Sequence, residues 1–307
     1  MGIRNNAKPF LKWAGGKTQL LEQFEDFYPS KLKEDKINTY IEPFIGGGAV
    51  FFNLQAKYNF DRIVINDINK ILVITYKVIQ NNVEDLIEKL EEFHDSYHST
   101  DEMEFKEKFY YEKRELFNNL KIHVGVEEFS KNWIELAAIM IFLNKTCFNG
   151  LYRENKKGGF NVPFGKRRSA PILDEENLLE VNKALKDVII LNGDFTGVEE
   201  YINSETFIYI DPPYRPLSDT SSFNDYSKVE FNDESQIRLG KWVRRLAESK
   251  QVKVMLSNSD PKNIDENDNF FDELYEGFNI GRVKAVRNIN SKGSGRGAIN
   301  EIAVTTY

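Results

Sequence analysis

The chain has 307 residues, of which 41% are hydrophobic and 13% aromatic, enough to bury one large core and a second smaller one. Its longest apolar stretch, at 133–143, is much shorter than the roughly 20 residues that cross a bilayer, and no signal core is visible, so we expect a cytoplasmic protein without a membrane partner. The single cysteine, Cys147, excludes an internal disulfide, and no Cys or His stands at metal-ligand spacing, so no metal ion is expected.

The net charge of −7 is unevenly distributed. Residues 84–116 contain twelve Asp or Glu against five Lys or Arg, which is typical of the solvated faces of peripheral helices. By contrast, residues 145–168 contain seven basic residues against one acid, residues 1–17 four against none, and residues 282–296 five against none. If folding brings the three basic stretches together, they form the cationic face of a nucleic-acid binder. Three unrelated solvated loops are the alternative.

The first motif along the chain is "WAGGKT" at 13–18, which looks like the end of a phosphate-binding loop. A Walker A loop needs a glycine at position 11, which here is leucine, and it should follow a strand. An ATPase is therefore disfavoured. The remaining interpretations are a loop whose backbone approaches a ligand and an ordinary turn before a helix.

Five short runs of β-branched and aromatic residues predict buried strands, each ending in a polar or turn residue. They lie at 39–44, 62–67, 188–195, 207–214 and 252–260. Helical patterns follow most of them, for instance at 69–80 and 233–249, so βαβ units and a mostly parallel sheet are predicted.

The C-terminal part, from 275 to 307, predicts an antiparallel hairpin that closes the sheet. Residues 70–174 instead have a helical and then a loop-like pattern. We therefore predict an insertion at 70–174 that divides the sheet domain into residues 1–69 and 175–307.

A glycine cluster, "EPFIGGGAVFF" at 42–52, follows the first predicted strand and opens a helix, where backbone amides can approach a ligand. Its consecutive glycines depart from the spaced dinucleotide fingerprint. Asp67 ends the next strand about 20 residues later, where a carboxylate can accept two ribose hydroxyls. Together these features predict a nucleoside cofactor, and a tight turn followed by an exposed aspartate is the alternative.

The stretch "YIDPPY" at 209–214 points most directly to chemistry. Its two prolines fix their φ angles and lack amide hydrogens, so the loop offers acceptors at the end of a strand. Asp211 supplies a carboxylate, Pro212 a carbonyl and Tyr214 a flat ring. An exocyclic amine on a planar base fits this set, because two acceptors take its hydrogens while the ring stacks. A plain turn is the alternative.

These motifs resemble the DNA adenine-N6 methyltransferases of the Dam type over nearly the whole chain. "FLKWAGGKTQLL" resembles the N-terminal cofactor motif of the family, "EPFIGGGAVFF" its glycine motif, "NDIN" its ribose-binding acid, "NGDF" its adenine-contacting motif and "DPPYRPLSDTSSFNDY" its catalytic motif, while "FNGLYR" and "FNVPFGK" resemble segments of its DNA-recognition domain. The motif order is that of the α group. The resemblance implies an α/β Rossmann-like S-adenosylmethionine-dependent methyltransferase fold, with a mainly helical DNA-recognition domain inserted at 70–174.

The resemblance also implies the roles of individual residues, with S-adenosyl-L-methionine as methyl donor and double-stranded DNA as substrate. The catalytic residues would be Asp211, Pro212, Pro213 and Tyr214. The cofactor would contact Trp13, Ala14, Gly15 and Lys17 at its methionine end, Phe44, Asp67 at its ribose, Asp194 and Phe195 at its adenine, and Asp211. DNA would contact Lys12, Arg153 and Pro163 at base pairs, Phe148 and Asn149 at the opened duplex, and Lys166 and Arg167. Many relatives have an aromatic at the position of Arg167, which is therefore expected to bind phosphate.

In the expected mechanism the adenine is flipped out of the duplex, its amine donates to Asp211 and to the Pro212 carbonyl, and the nitrogen attacks the methyl group directly without a metal. The recognition segments resemble those of GATC-modifying relatives. The alternatives are another DNA sequence, RNA adenine, a protein glutamine, for which Asn at position 211 would be expected, and a catalytically silent DNA-binding module. We expect no obligate protein partner, and a bacterial or phage gene that is compatible with a neighbouring restriction endonuclease.

Overall fold

The computed structural model describes residues 6–215, 231–286 and 298–307, and within them a sheet of seven strands. The strands are β1 Thr39–Glu42, β2 Arg62–Asp67, β3 Ile189–Asn192, β4 Thr206–Ile210, β5 Lys253–Ser259, β6 Asn279–Val286 and β7 Ala298–Thr305. Their order is β3-β2-β1-β4-β5-β7-β6. β1 to β5 pair in parallel, whereas β7 is antiparallel to both β5 and β6. The predicted strands, the hairpin and the α/β fold class are confirmed.

The helices connect and cover these strands. They are α1 Leu21–Phe24, α2 Ser30–Lys33, α3 Ala49–Lys57, α4 Lys70–Asn81, α5 Val83–His98, α6 Met103–His123, α7 Asn132–Thr146, α8 Glu175–Leu185, α9 Asp233–Lys250 and α10 Phe270–Leu274. Side chains that accept backbone N–H groups fix where three of them begin: Asn69 caps α4, Asp174 caps α8 and Asn232 caps α9. The helices predicted at 69–80 and 233–249 are confirmed as α4 and α9.

Two apolar layers lie on opposite faces of the sheet. Alternation along β4 directs Phe207 and Tyr209 into one layer and Ile208 and Ile210 into the other. Helix α9 covers the second face. On the first face the layer continues without interruption into α7, which is buried on nearly all sides because it packs against α4, α5 and α6. The helical insertion and the sheet therefore share one core.

The acidic stretch at 84–116 is less peripheral than its charge predicts. Helices α5 and α6 bury one face each against α7 and leave their acidic residues to solvent. The aromatic residues of α6 differ in burial: Tyr110 is fully buried, Phe109 is partly buried and the Phe105 ring is 40% exposed. Phe105 lies about 100° around the helix from the buried Lys106, which turns the Phe105 ring toward solvent.

The predicted domain boundaries at residues 69 and 174 remain a prediction. Helix α4, which begins at Lys70, packs on β2 and β3 as well as on α7, so it contacts both the sheet and the inserted helices. In the described part of the chain, every helix is too short or too polar to cross a bilayer.

Candidate functional site

Asp211 follows β4 directly, at the edge of the sheet where parallel strands end. Its Oδ2 lies 2.8 Å from the Lys17 Nζ, and its Oδ1 accepts a hydrogen bond from the Ser257 hydroxyl at 3.1 Å. The Asp211 side chain is 19% exposed. Burial raises the pKa of its carboxyl to about 6, although the charge of Lys17 opposes the change. The carboxylate is thus fixed by two side chains and still reaches solvent.

The rest of the Asp-Pro-Pro-Tyr loop is held by neighbours on α9 and β7. The Pro213 carbonyl accepts from the Gln236 side chain at 3.0 Å, and the Tyr214 hydroxyl donates to the Glu301 carboxylate at 2.5 Å. Among the described residues, none donates a hydrogen bond to the Pro212 carbonyl. The positions from 216 to 226, which include the rest of the predicted catalytic motif, lie outside the described residues.

Lys17 is the residue of the "WAGGKT" loop that reaches this site. It is only 3% exposed, donates to the Gly15 carbonyl, and its Nζ lies 4.6 Å from the centre of the Tyr214 ring. Gly15 has a φ of +74°, which an L side chain rarely adopts. The loop therefore turns its lysine inward, against Asp211 and Tyr214.

The glycine turn after β1 brings Trp13 beside Asp67. Gly46 has a φ of +47°, and a Cβ there would lie 2.9 Å from the Trp13 Cδ1. The Gly46 N–H donates to Asp67 Oδ2 at 3.0 Å, and the Asn69 N–H donates to Oδ1 at 2.8 Å. Burial raises the pKa of Asp67 to about 6. A glycine is required here because the backbone and the indole ring approach so closely.

The end of β3 adds an aromatic pair. Phe195 stacks on Phe44 with ring centroids 5.6 Å apart, and Asp194 is paired with Arg238 through both carboxylate oxygens, at 2.8 and 2.6 Å. This pairing, foremost the hydrogen bonds from Arg238, lowers the pKa of Asp194 to about 2. An adenosyl group would fit this edge, since two aromatic rings, a glycine turn and the Asp67 carboxylate are available within it. Ala14 lies partly exposed beside Trp13.

Two acids near Asp211 were not predicted from sequence. Glu42 is buried at the end of β1 and accepts from the Tyr40 hydroxyl at 2.5 Å. Burial raises its pKa well above the usual range, and the negative charge of Asp211 adds to the rise. The other is Glu301, the partner of Tyr214. A strand-end acid beside a glycine motif was the available signal for Glu42; the sequence offers no comparable signal for Glu301.

The predicted DNA-binding residues lie around the turn after α7. Asn144 is buried and makes three hydrogen bonds, accepting from the Lys12 N–H at 2.8 Å and donating to the Lys12 and Gly150 carbonyls at 2.9 and 3.1 Å. Next to it, the Trp13 ring stacks on Tyr152 at 5.3 Å. The hydrogen bonds of Asn144 therefore join the basic N-terminal segment at Lys12 to the turn at 148–150.

On the outer side of that turn, Phe148 is 54% exposed, and Asn149 has a φ of +59°. The Phe148 N–H donates to the Pro163 carbonyl at 2.9 Å, which brings the two predicted segments together. Arg153 is exposed, and its Nε donates to the Asn161 side chain at 2.8 Å. Lys166 and Arg167 are also exposed.

The third basic stretch, at 282–296, begins with an arginine that is paired with acidic residues. Arg282 is neutralised by Asp260 and Asp272, with nitrogen to oxygen distances of 2.9 and 3.0 Å. Residues 287–297 lie outside the described residues. Among the basic residues of the first stretch that the structure describes, Lys12 is joined to the turn at 148–150, whereas Lys17 is buried against Asp211.

Comparisons with known proteins agree with this geometry. A family model described as D12 class N6 adenine-specific DNA methyltransferase matches residues 13–289. The chain is 52% identical to the Type II methyltransferase M.MjaIII of Methanocaldococcus jannaschii, over 98% of this chain and 99% of that protein. It is 37% identical to the Type II methyltransferase M1.LlaDCHI of Lactococcus lactis subsp. cremoris, over 98% and 96% of the two chains. It is 34% identical to a DNA adenine methylase of Haemophilus influenzae, over 96% and 92%.

Proposed function

The chain belongs to the D12 class N6 adenine-specific DNA methyltransferases, and from this premise we propose that Asp211 and its loop methylate N6 of an adenine flipped out of double-stranded DNA, within the sequence GATC. The observation that carries the proposal is the fixed carboxylate of Asp211 between Lys17 and Ser257, at the edge of the sheet beside the glycine turn.

The methyl donor is S-adenosylmethionine, whose sulfonium group supplies an electrophilic methyl. We assign its methionine end to Trp13, Ala14, Gly15 and Lys17, its ribose to Asp67, and its adenine to Asp194, Phe195 and Phe44. The stacked pair of Phe44 and Phe195 and the double hydrogen bond that Asp67 accepts support this assignment. The flat indole of Trp13 also attracts a positive charge.

The residues of the loop activate the target amine. Its nitrogen is a poor nucleophile because its lone pair is delocalised into the purine. Hydrogen bonds from the two amine hydrogens to Asp211 and the Pro212 carbonyl localise that pair, while Tyr214 stacks on the base. Holding both reactants in line contributes up to about 7 to 11 kcal/mol of barrier lowering. With a pKa of about 6, Asp211 can also accept the proton that the methylated nitrogen releases.

Lys17 has two tasks in this scheme. Its ammonium lowers the pKa of Asp211 relative to what burial alone would give, so the carboxylate is ionised at neutral pH. It also lies over the Tyr214 ring and so limits where that ring can move. The hydrogen bond from the Gln236 side chain to the Pro213 carbonyl fixes the loop relative to α9.

We assign sequence recognition to residues 70–174 and catalysis to residues 1–69 and 175–307. Arg153 and Lys12 would contact bases, as arginine does most often with guanine. Pro163 would line the same base pairs. Phe148 and Asn149 would enter the space that the flipped base leaves, and the exposure of Phe148 supports this role. Lys166 and Arg167 would contact phosphate. Two relatives are named Type II methyltransferases, which supports a gene beside a restriction endonuclease.

Expression in a host without adenine methylation, followed by sequencing that reports modified adenines on a plasmid, tests the proposal. We expect N6-methyladenine at GATC and at no other tetranucleotide, and none with Asp211→Ala. Modification at a different site would refute the recognition sequence. Labelled methyl transfer to RNA of the same sequence but not to DNA would refute the substrate, and no transfer to either would indicate a silent DNA-binding module.

A further inference from the structure

Five polar side chains of α6 follow one side of that helix. They are Lys106, Tyr110, Arg114, Asn118 and Lys121, separated by four, four, four and three residues. Side chains at this spacing lie one above the other along a helix. We call this set the α6 polar row. Several of its members point away from solvent, in a helix whose other charged residues are mostly acidic and exposed.

Every member of the α6 polar row binds the recognition segment, which we define as residues 153–170. Lys106 Nζ donates to the Arg168 carbonyl at 2.9 Å, Tyr110 Oη to the Val162 carbonyl at 2.8 Å, Arg114 Nη1 to the same carbonyl at 3.3 Å, Asn118 Nδ2 to the Phe160 carbonyl at 3.1 Å, and Lys121 to the Glu154 carboxylate. Asn118 also accepts from the Phe160 N–H at 2.7 Å. Most of these partners are backbone groups of a segment without regular secondary structure.

Helix α5 adds two contacts to the end of the same segment. The Tyr97 hydroxyl donates to the Arg167 carbonyl, and His98 Nε2 lies 3.1 Å from the Ala170 carbonyl. Together with Lys106, these side chains contact three carbonyls between residues 167 and 170. The side chains of Lys166, Arg167 and Arg168 remain exposed. Lys166 has a φ of +50°, a strained conformation that persists only where the surroundings fix it.

Lys106 is the most informative member of the row. It is fully buried, and among residues 6–215, 231–286 and 298–307 no carboxylate lies within ion-pair distance of its ammonium. Its neighbours are the Arg168 carbonyl and the Tyr97 ring, whose centre lies 4.4 Å away. Burying a charge without a counter-charge is costly. The positive charge behind three exposed basic residues is, however, well placed for an anionic ligand.

We propose that the α6 polar row positions the recognition segment for DNA, so that Lys166, Arg167 and Arg168 meet successive phosphates, and that Lys106 is the positioning residue on which this arrangement depends most. The proposal rests on the proposed function, because it takes duplex DNA as the ligand of the exposed side. No member of the row needs to touch DNA itself. Its effect is to fix a backbone that would otherwise have several conformations, and so to reduce the ordering cost of binding.

Two substitutions in the full chain test this proposal, each with a matched control. Lys106→Met removes the ammonium, and Lys113→Met on the same helix is its control, since Lys113 contacts the Phe93 ring and Glu135 instead. Tyr110→Phe removes only one hydroxyl. Its control is Tyr275→Phe, because the buried Tyr275 hydroxyl has no hydrogen-bond partner among the described residues.

Binding of a GATC duplex is measured by fluorescence anisotropy over a range of salt concentrations, and binding of S-adenosylmethionine by calorimetry. We expect Lys106→Met and Tyr110→Phe to weaken DNA binding by about 5- to 30-fold while cofactor affinity is unchanged. The slope of log K against log salt should become shallower by about one for each phosphate contact that is lost. Both controls should bind DNA like the wild type.

Equal affinity and equal salt slope in all variants would overturn the proposal. Weaker binding with an unchanged slope would overturn it too, because the loss would then come from general stability and not from phosphate contacts. If Lys106→Met does not fold, Tyr110→Phe, which preserves the ring, decides the outcome. A wild-type protein that does not bind DNA would instead refute the proposed function, which separates the two failures.

Discussion

Replacing Asp211 by Asn removes a partly buried negative charge and keeps the shape of the side chain, so its effect on stability should depend on pH. Burial raises the pKa of this carboxyl from 3.8 to about 6, against the opposing charge of Lys17. A carboxyl with a raised pKa binds its proton more tightly in the folded protein than in the unfolded chain. For this group the fold is therefore most stable at low pH and loses stability as pH rises from about 4 to about 6.

The size of the effect follows from the pKa change. A difference of about two in pKa corresponds to about 3 kcal/mol, which the wild type loses above pH 6 and the variant does not. The variant also leaves Lys17 without its partner, which lowers the free energy of unfolding. Because asparagine does not titrate, this loss is the same at every pH. Asp67, whose pKa is also raised to about 6, is present in both proteins and cancels in the difference.

The assay is urea denaturation of both proteins between about pH 4.5 and about pH 7.5, followed by tryptophan fluorescence. The free energy of unfolding of Asp211→Asn, minus that of the wild type, should increase by about 2 kcal/mol across this range. Asp61→Asn, which removes an exposed carboxylate, is the control for the substitution itself. A difference that stays constant within about 0.5 kcal/mol would show that Asp211 does not carry the raised pKa.

Four further outcomes are expected. Asp211→Ala should abolish methyl transfer while calorimetry finds cofactor affinity within several-fold of wild type, and normal turnover would contradict the assigned role. The single-turnover rate should fall below about pH 6 as Asp211 is protonated, and Lys17→Met should move that fall to higher pH; an unmoved profile would mean that Lys17 does not control the carboxylate. Asn144→Ala loses three hydrogen bonds and should lower the free energy of unfolding by about 2 to 4 kcal/mol in urea titrations, whereas no loss would show that water replaces them. Arg153→Ala should relax the preference at one guanine by about 1 to 3 kcal/mol in competition binding, and an equal loss on all sequences would make it a phosphate contact.

The sheet and its edge could be predicted from sequence because their signals are local. The runs at 39–44, 62–67 and 252–260 are apolar enough to be buried strands, and each ends in the polar residues that collect at one edge. The glycine turn and the Asp-Pro-Pro-Tyr loop restrict their own backbones, so the positions of Asp67 and Asp211 followed from chain-local geometry.

Contacts between distant parts of the chain could not be predicted in the same way. Nothing near Lys17 in the sequence indicates that its ammonium pairs with Asp211, and its place at the methionine end of the cofactor stays a prediction. The α6 polar row was hidden for another reason. Its partners are mostly backbone carbonyls, which every residue has, so the sequence of the recognition segment does not reveal them. The acidic composition of the helix then favoured a solvated interpretation.

The uninterrupted apolar layer between the sheet and α7 limits how the proposed target recognition can be altered in this protein. Exchanging the whole stretch 70–174 with that of a relative would replace one side of the layer and leave the other. The apolar side chains that meet beneath β4 would then differ in volume from those that pack there now. Exposed positions such as Arg153 and Arg167 can change without disturbing that layer. Under the proposed function, new specificities should therefore arise by substitution at such exposed positions, and engineering by grafting should fail unless α4 and α7 are redesigned with the graft.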